Sequence, residues 1–192
     1  IDATIKGNFS KLTRHRVPGA LPFGAKYRLI DFTLSNCKNS EITNVSIFPY
    51  GNYRSLADHI GSGDRWDLNR RQDGIFILPP KSLNLTFEDS ISFQRMYEHI
   101  EYFQRSNQEY VIVSPANIVW NVDYNVFLQT HLTDKADITE VLSLDKKRLK
   151  TYILSKKLLL EYIYNYDQIQ FRNLSDVFDY APNLKKLIYT LN

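Results

Sequence analysis

Short runs of β-branched and aromatic residues along the chain predict buried strands. They cover residues 44–49, 75–78 and 109–114, and each run is bounded by residues that favour turns. Residues 137–142 also have a strand-like pattern, and the charged run at 145–148 is expected to be a solvated turn.

Apolar residues at spacings of three and four predict helices between and after these strands. One helix is expected to begin at a cap provided by Asp89 or Ser90, a second at Asp123 and a third at Ser155. The residues expected to face inward are Phe93, Met96, Tyr97, Ile100 and Phe103 in the first helix, Val126, Phe127 and Thr130 in the second, and Leu158, Leu159, Tyr162 and Ile163 in the third. Two further helices fit residues 27–38 and 53–60.

This order of elements predicts an α/β fold with a mostly parallel sheet and helices on both of its faces. In such sheets, ligands bind beyond the carboxyl ends of the strands. The places to inspect are the segment before Arg28, the loop after Phe48, the loop after Leu78 and the turn at residues 114–117.

Charge and cysteine content exclude several classes of protein. The chain has 192 residues, and its 24 basic and 21 acidic side chains give a net charge of only +3, too small to indicate nucleic-acid or membrane binding. A single cysteine, Cys37, cannot form an intramolecular disulfide, and no apolar run reaches the roughly 18 residues of a membrane-spanning helix. A cytoplasmic setting is therefore expected.

Glycine is scarce, and this restricts where a phosphate-binding loop could lie. The chain has seven glycines, and none follows Gly74. A glycine-rich loop whose backbone approaches a phosphate must therefore lie early in the chain. Because residue 1 is isoleucine, we expect the start of the gene product to lie upstream.

One block of sequence closely resembles the sugar-nucleotide pyrophosphorylases, and specifically the glucose-1-phosphate adenylyltransferase (ADP-glucose pyrophosphorylase) family. The matching positions are Pro22–Arg28, Ile30–Phe32, Leu34–Asn36, Ser55-Leu56, His59-Ile60 and Asn121–Tyr124. The resemblance extends over residues 9–133 and then weakens.

The resemblance implies a Rossmann-like nucleotidyltransferase domain over residues 1–192, which we expect to be incomplete. Members of the family join a sugar 1-phosphate oxygen to the α-phosphate of ATP and release pyrophosphate. Their C-terminal β-helix repeats are not visible in this sequence. Residues 138–155 are also too few for the family's strands and sugar-phosphate loop, so a segment is expected to be missing there, and the family's sugar-phosphate lysine has no counterpart.

The first departure from the catalytic members falls on their glycine-rich loop. The matching stretch, residues 2–8, contains only Gly7, and Asn8 stands where the family has its loop arginine. Asp2 is expected to add a negative charge that faces the phosphate position. This stretch is therefore a poor match to a triphosphate.

Two further departures replace charged groups by neutral ones. Pro18 stands at the lysine of the family's Arg-Ala-Lys-Pro, where Gly19 follows it, and Asn117 stands at the metal-binding aspartate of Gly-Asp-His, after Ala116. Proline has no charge and no N–H donor, and Mg²⁺ prefers anionic oxygens to an amide carbonyl. Tyr50 also replaces a polar amide of the catalytic members.

Together these departures resemble the GlgD-type regulatory subunit of bacterial glycogen biosynthesis. The resemblance implies a weakly active or inactive chain without catalytic residues, metal or other bound cofactor. Its implied partner is a catalytic subunit that uses Mg²⁺, in a hetero-oligomer, expected to be a tetramer, with no nucleic-acid or membrane partner. The candidates for weak binding of ATP or a sugar phosphate are Lys26, Arg28, Tyr50, Arg65 and Asn117.

Other interpretations of these residues remain open. In the polar loop 61–74, Trp66 with Arg65, Arg70 and Arg71 could hold a phosphate, stack a base or anchor a partner, or the arginines could pair with Asp64, Asp67 and Asp73 in a mobile loop. Lys26 and Arg28 could bind an anion, or Arg28 could form a framework pair with Asp31.

The histidines carry no sign of a metal site. They lack ligand spacing with one another and with Cys37, and are expected at the surface or in packing; they are His15, His59, His99 and His131. Two alternative functions also remain: an active sugar-phosphate nucleotidyltransferase with a rearranged metal site, and an anion- or nucleic-acid-binding module.

Overall fold

The computed structural model describes residues 1–4, 12–13, 16–81 and 90–191. These residues form two compact units. The first comprises Ile1–Asp89 and Pro115–Tyr124, and the second comprises Ser90–Ser114 and Asn125–Asn192.

The first unit is built on a parallel sheet of three strands. The strands are β1 (Asp2–Ala3), β4 (Asn44–Pro49) and β5 (Gly74–Ile77), in the order β1-β4-β5. A small antiparallel hairpin of β2 (Pro22–Phe23) and β3 (Tyr27–Arg28) precedes the helices α1 (Leu29–Asn39) and α2 (Arg54–Ile60). The predicted strands at 44–49 and 75–78 and the predicted helix at 53–60 are thus confirmed. The helix predicted at 27–38 begins only at Leu29, because Tyr27 and Arg28 form β3.

Burial follows the predicted periodicities in this unit. Val45 and Ile47 of β4 are buried, as are Ile30, Leu34 and Cys37 on one side of α1. Two short 3₁₀ turns, Pro18–Ala20 and Asp64–Trp66, complete the unit.

The second unit contains a mixed sheet of four strands in the order β6-β8-β7-β9. The strands are β6 (Tyr110–Val113), β7 (Ile138–Leu142), β8 (Arg148–Ser155) and β9 (Lys186–Thr190), and the helices are α3 (Phe93–Tyr97), α4 (Ile100–Arg105), α5 (Tyr124–Thr133), α6 (Lys156–Tyr164) and α7 (Leu174–Tyr180). β8 is antiparallel to both β6 and β7, whereas β9 is parallel to β7. The α/β class is confirmed, and the parallel arrangement holds for the first unit but not for this sheet, because β7 and β8 form a tight hairpin.

The helix predicted from residue 89 or 90 through Phe103 is wrong in two respects. It is two short helices, α3 and α4, and the cap of α3 is Ser92, whose side chain accepts a hydrogen bond from the Arg95 backbone at 3.4 Å. Ser90 does not cap it, and Asp89 lies outside the described residues. The predicted start of α6 at Ser155 is confirmed, since its hydroxyl accepts from the Leu158 backbone at 3.2 Å.

Three other expectations about side chains in this unit are corrected. Val126 of α5 is 47% exposed and Tyr97 of α3 is 41% exposed, whereas Phe127 is buried. The run at 145–148 is a turn only in part, because Arg148 begins β8 and its guanidinium bonds Glu140 and Asp179. Next to Arg148 the strand bulges: Leu142 pairs with Arg148 but Val141 pairs with Thr151, and Lys150 has a φ of 51°.

Buried His131 makes the stability of the second unit depend on pH. Its Nδ1 lies 2.8 Å from Thr139 Oγ1, and burial holds the pKa of His131 below its ordinary value of 6.5. A lowered native pKa means that the unfolded chain takes up a proton first as the pH falls. The stability given by neutral His131 is then complete above pH 6.5 and is lost as the pH falls from 6.5 to the native pKa.

We expect His131→Gln to flatten this dependence by up to about 1.4 kcal/mol per pH unit. The measurement is urea unfolding between pH 5 and 7.5 (roughly the range in which histidine titrates), with His99→Gln as the control. Parallel pH profiles for wild type and His131→Gln would refute this role of His131.

Candidate functional site

The turn that holds Asn117 is bonded to two neighbouring segments of the first unit. The turn comprises Pro115, Ala116 and Asn117. The Ala116 backbone N–H donates to the Asp2 carbonyl at 2.8 Å, and Thr33 Oγ1 donates to the Pro115 carbonyl at 3.0 Å. The turn is thereby fixed to both β1 and α1.

The residues after the turn, up to residue 124, are hydrogen-bonded to a row of polar side chains along α1 and at its C-terminal end. Thr33, Asn36 and Ser40 are buried and follow one another at spacings of three and four, which places them on one side of the helix. Asn36 donates from Nδ2 to the Trp120 carbonyl at 3.2 Å and accepts at Oδ1 from the Val122 backbone at 3.3 Å.

Ser40 completes the row, because its hydroxyl accepts from the Tyr124 backbone at 2.8 Å at the start of α5. The signal available in the sequence was the spacing of three polar residues by three and four along a predicted amphipathic helix. Sequence reasoning missed it, although Asn36 belongs to the block that carries the resemblance.

The two neutral replacements lie in well-packed surroundings. Pro18 begins a buried 3₁₀ turn, where proline's fixed φ suits the first position. Asn117 is half-buried at the end of its turn. The first unit thus keeps the positions at which the resemblance places a lysine and an aspartate, with neither charge present.

The expectation that Asp2 presents its charge toward a phosphate is wrong. Its side chain is 1% exposed, and its Oδ1 accepts from the Thr4 backbone at 2.9 Å and from the Thr4 hydroxyl at 2.5 Å. Asp2 therefore closes a local turn at the end of β1. Gly7 and Asn8 lie outside the described residues.

Arg28 is a framework residue, although not through the predicted ion pair. Its guanidinium donates to the Ser55 carbonyl and, at 2.8 Å, to the Ser55 hydroxyl on α2. Its backbone N–H donates to Asp31 Oδ2 at 2.9 Å, which caps α1. Asp31 Oδ1 lies 2.6 Å from Nε2 of His59.

His59 therefore has a specific buried partner, which sequence reasoning missed. The His59 and Asp31 side chains are each 8% exposed. The available signal was that His59, Ser55, Arg28 and Asp31 all belong to the matching block. These four side chains tie α2 to the first turn of α1.

The other candidates for binding lie apart in their local contacts. Lys26 is exposed in the β2–β3 turn, with its Nζ 5.3 Å from the centre of the Tyr27 ring. Tyr50 is half-buried directly after β4. Arg65 is exposed, and its carbonyl accepts from Lys38 Nζ at 3.4 Å.

Loop 61–74 is packed through Trp66 and Leu68, which are 5% and 2% exposed. A buried Trp66 cannot offer its ring for base stacking, so that interpretation is corrected. Gly63 permits the close packing, because its φ is 83° and a Cβ there would lie 2.8 Å from Ile75 Cγ2.

The charged side chains of this loop follow the predicted pairing only in part. Asp67 pairs with Arg70, whereas Asp64 accepts hydrogen bonds from Ser62 and, at 2.7 Å, from Asn69. Asp73 accepts from the Thr43 hydroxyl at 3.2 Å. One of the three predicted aspartate–arginine pairs, Asp67–Arg70, is among the ion pairs of the described residues.

The described residues contain no ready-made cluster of metal-ligating side chains. Across residues 1–4, 12–13, 16–81 and 90–191, no three His, Cys, Asp or Glu side chains come together as metal ligands. The position at which the resemblance places the metal carboxylate holds the neutral amide of Asn117, whereas Mg²⁺ prefers carboxylate and phosphate oxygens. Over the same ranges, no helix is long and apolar enough to cross a membrane.

Strands β4 and β5 of the parallel sheet and the turn at Asn117 lie within the part of the chain that matches a nucleotidyltransferase domain. The model of the nucleotidyl transferase family matches residues 8–152. The chain belongs to that family.

Two kinds of curated relatives are similar to it. The glycogen biosynthesis protein GlgD of Bacillus subtilis is 39% identical over 91% of this chain, and that of Geobacillus stearothermophilus is 40% identical over 90%. The glucose-1-phosphate adenylyltransferase of Clostridium perfringens strain 13 is 39% identical over 67% of this chain and 33% of its own length. The chain spans about half, 51%, of the length of the two GlgD proteins.

A solved structure confirms the fold. It is a Bacillus anthracis protein provisionally assigned as a glucose-1-phosphate thymidylyltransferase, with a TM-score of 0.68 over 97% of this chain and 84% of that one. Because the two are only 12% identical, this likeness concerns the fold alone. The resemblance drawn over residues 9–133 is confirmed by the family model and by the curated relatives.

Proposed function

We propose that this chain is the nucleotidyltransferase-like part of a non-catalytic subunit that supports glucose-1-phosphate adenylyltransferase in glycogen biosynthesis. The observation that carries the proposal is the turn at Asn117. Five hydrogen bonds from Asp2, Thr33, Asn36 and Ser40 fix residues 115–124. The scaffold of a catalytic site is kept while the side chain that would bind the metal is neutral.

Electrostatics give the size of that loss. Opposite unit charges 4 Å apart attract by roughly 4 kcal/mol at an effective dielectric constant of 20, which corresponds to about three decades of rate or affinity. The missing ammonium group at Pro18 acts in the same direction, because phosphoryl transfer depends on neutralising phosphate charge. We therefore infer weak or no activity for this chain by itself.

The extent of similarity supports a regulatory rather than a catalytic member. At nearly equal identity, the match to GlgD covers 91% of the chain, whereas the match to the adenylyltransferases covers 67%. The similarity to GlgD thus includes residues for which the adenylyltransferases give no match.

The proposal extends to the partner and the setting. The partner is a catalytic adenylyltransferase subunit, which supplies the Mg²⁺-dependent chemistry in a hetero-oligomer, proposed to be a tetramer, in the cytoplasm. ATP or a sugar phosphate would bind this chain only weakly, through candidates such as Lys26, Tyr50 and Asn117. Arg65 lies on a packed loop whose tryptophan is buried, which disfavours the alternative of a base-stacking nucleic-acid module.

Co-expression tests the proposed partnership. The complete gene product and a catalytic adenylyltransferase, only one of them tagged, are expected to purify together in a fixed ratio and to elute as a single oligomer. An unrelated sugar nucleotidyltransferase with the same tag is the control. Separate elution of the two proteins at micromolar concentration would contradict the partnership.

A further inference from the structure

Gly19 and Ala116 form a packing contact that leaves room for one side chain but not for two. Both residues are buried, and Ala116 is 1% exposed. A Cβ built on Gly19 would lie 2.9 Å from Ala116 Cβ and 3.3 Å from the Ala116 carbonyl oxygen. Gly19 does not have a positive φ, so the need for glycine comes from Ala116 and not from the backbone conformation.

Neither side of this contact is free to move away. Ala116 is held by its backbone hydrogen bond to Asp2, and the preceding carbonyl is held by Thr33. Gly19 lies inside the 3₁₀ turn, where the Ala20 N–H donates to the Val17 carbonyl at 2.9 Å and the Leu21 N–H to the Pro18 carbonyl at 2.9 Å. Closely packed interiors with fixed backbones tolerate added atoms poorly.

In the sequence pattern of the catalytic members, the Cβ at this contact belongs to the other residue of the pair. There, position 19 is a proline, which has a Cβ, and position 116 is a glycine, which has none. In both patterns one Cβ fills the contact. The two positions adjoin Pro18 and Asn117, the places where this chain lacks a charged group.

We propose that Gly19 and Ala116 are a reciprocal packing pair that couples the segment of Pro18 to the segment of Asn117. A Cβ can return at position 19 only if position 116 becomes glycine, whereas glycine at position 116 alone leaves a small void. Gly19 and Ala116 thus set how closely the segment of Pro18 packs against the segment of Asn117.

A double-mutant cycle in the complete gene product tests the pair. We expect Gly19→Ala to lower the melting temperature by roughly 4–8 °C through overpacking, and Ala116→Gly to lower it by roughly 2–5 °C through the lost methyl group and a more flexible backbone. The combined variant is expected to melt at or above Gly19→Ala alone, because one clash is removed.

A comparison with a second destabilised variant shows whether Ala116→Gly removes the clash with residue 19 or stabilises the protein in general. Ala116→Gly is expected to rescue Gly19→Ala but to destabilise Leu34→Ala further, since Leu34 is fully buried on α1. If Gly19→Ala does not fold, recovery of a folded protein on adding Ala116→Gly is the expected result. Losses that simply add, or rescue of both variants alike, would overturn the proposal.

Hydrogen exchange gives a local measurement on the same proteins. Gly19→Ala is expected to speed amide exchange at residues 116 and 117, and adding Ala116→Gly is expected to slow it again. Unchanged exchange there in Gly19→Ala would also overturn the coupling. Because these measurements report packing and not turnover, the pair and the proposed function can fail separately.

Discussion

Replacing Arg148 by methionine is expected to lower the free energy of unfolding by roughly 3 kcal/mol, the largest effect of any single change considered for this chain. Arg148 Nε donates to Glu140 Oε1 at 2.7 Å, and Nη1 donates to Asp179 Oδ2 at 2.7 Å. The Glu140 side chain is only 3% exposed. Removing the guanidinium would leave that carboxylate buried, with the Tyr152 hydroxyl at 2.9 Å as its remaining donor in this cluster.

The surroundings explain why the expected loss is not larger. The Arg148 side chain is 39% exposed, so water screens part of its interaction with Asp179. Burial alone would lower the pKa of Arg148, but the hydrogen bonds to Asp179 and Glu140 raise it overall. Burial also raises the pKa of Tyr152, which keeps its hydroxyl protonated as a donor to Glu140.

Urea unfolding of Arg148→Met, Glu140→Gln and the double variant measures this effect. Lys147→Met, in the exposed turn before β8, is the matched control and is expected to change stability by less than about 0.5 kcal/mol. The double variant is expected to recover part of the loss, because a neutral amide replaces the stranded carboxylate. A loss for Arg148→Met no greater than that of Lys147→Met would refute the importance of the pair.

Replacing Asp31 by alanine is expected to cost about 2–3 kcal/mol, since it removes a helix cap and the partner of a buried histidine. One oxygen of Asp31 accepts from the Arg28 backbone and the other lies against His59. Loss of both contacts would leave the Arg28–Ser55 hydrogen bonds as the polar contact of this cluster between the start of α1 and α2. We expect hydrogen exchange to accelerate at residues 28–32 and 55–60.

Asp58 offers the control for this experiment, because it is exposed on the same helix as His59. Asp58→Ala is expected to change stability by less than about 0.5 kcal/mol. If Asp31→Ala matched this control in unfolding and hydrogen exchange, the Asp31–His59 contact would make no measurable contribution to stability.

Two strands of the first unit, β4 and β5, were predictable because most of their residues are β-branched or aromatic, whereas β1, β2 and β3 were not predicted. Val45, Ile47 and Phe48 form an apolar run that only Ser46 interrupts, as expected for a strand between two parallel neighbours. α6 was predictable for a similar reason, since Ser155 stands directly before a regular apolar period. Local sequence was sufficient for these elements.

The unpredicted elements depend on distant partners. β8 begins with Arg148 and contains a bulge at Lys150, so its charged first half resembles a solvated turn. Only the contact of Arg148 with Glu140 and Asp179 shows that this charge is structural. β9 and α7 were not predicted either, because the resemblance gives no clear signal in the last 30 residues. The local signal for α7 was nevertheless present, since Leu174, Val177, Phe178 and Ala181 have helical spacing and are buried.

The candidate site shows the same division. The neutral residues Pro18 and Asn117 could be recognised from the order of motifs along the chain. The burial of Trp66, the turn of Asp2 onto Thr4 and the hold of Asn36 on residues 120–122 could not, because each depends on which surfaces meet after folding. The identity of a side chain indicates which chemistry it can perform, whereas packing decides whether that side chain is accessible to a ligand.

According to the proposed function, this chain keeps the fold of an adenylyltransferase but does not catalyse its reaction. The rate of ADP-glucose formation tests this most directly. The complete gene product is assayed alone for ADP-glucose formation from ATP, glucose 1-phosphate and Mg²⁺, beside a catalytic adenylyltransferase and beside a mixture of the two. We predict that the protein alone is slower than the catalytic enzyme by about three decades or more, and that the mixture differs from the catalytic enzyme alone in rate or in its response to effectors. A rate for the protein alone within about tenfold of the catalytic enzyme, or roughly 1.4 kcal/mol in activation free energy, would contradict the claim.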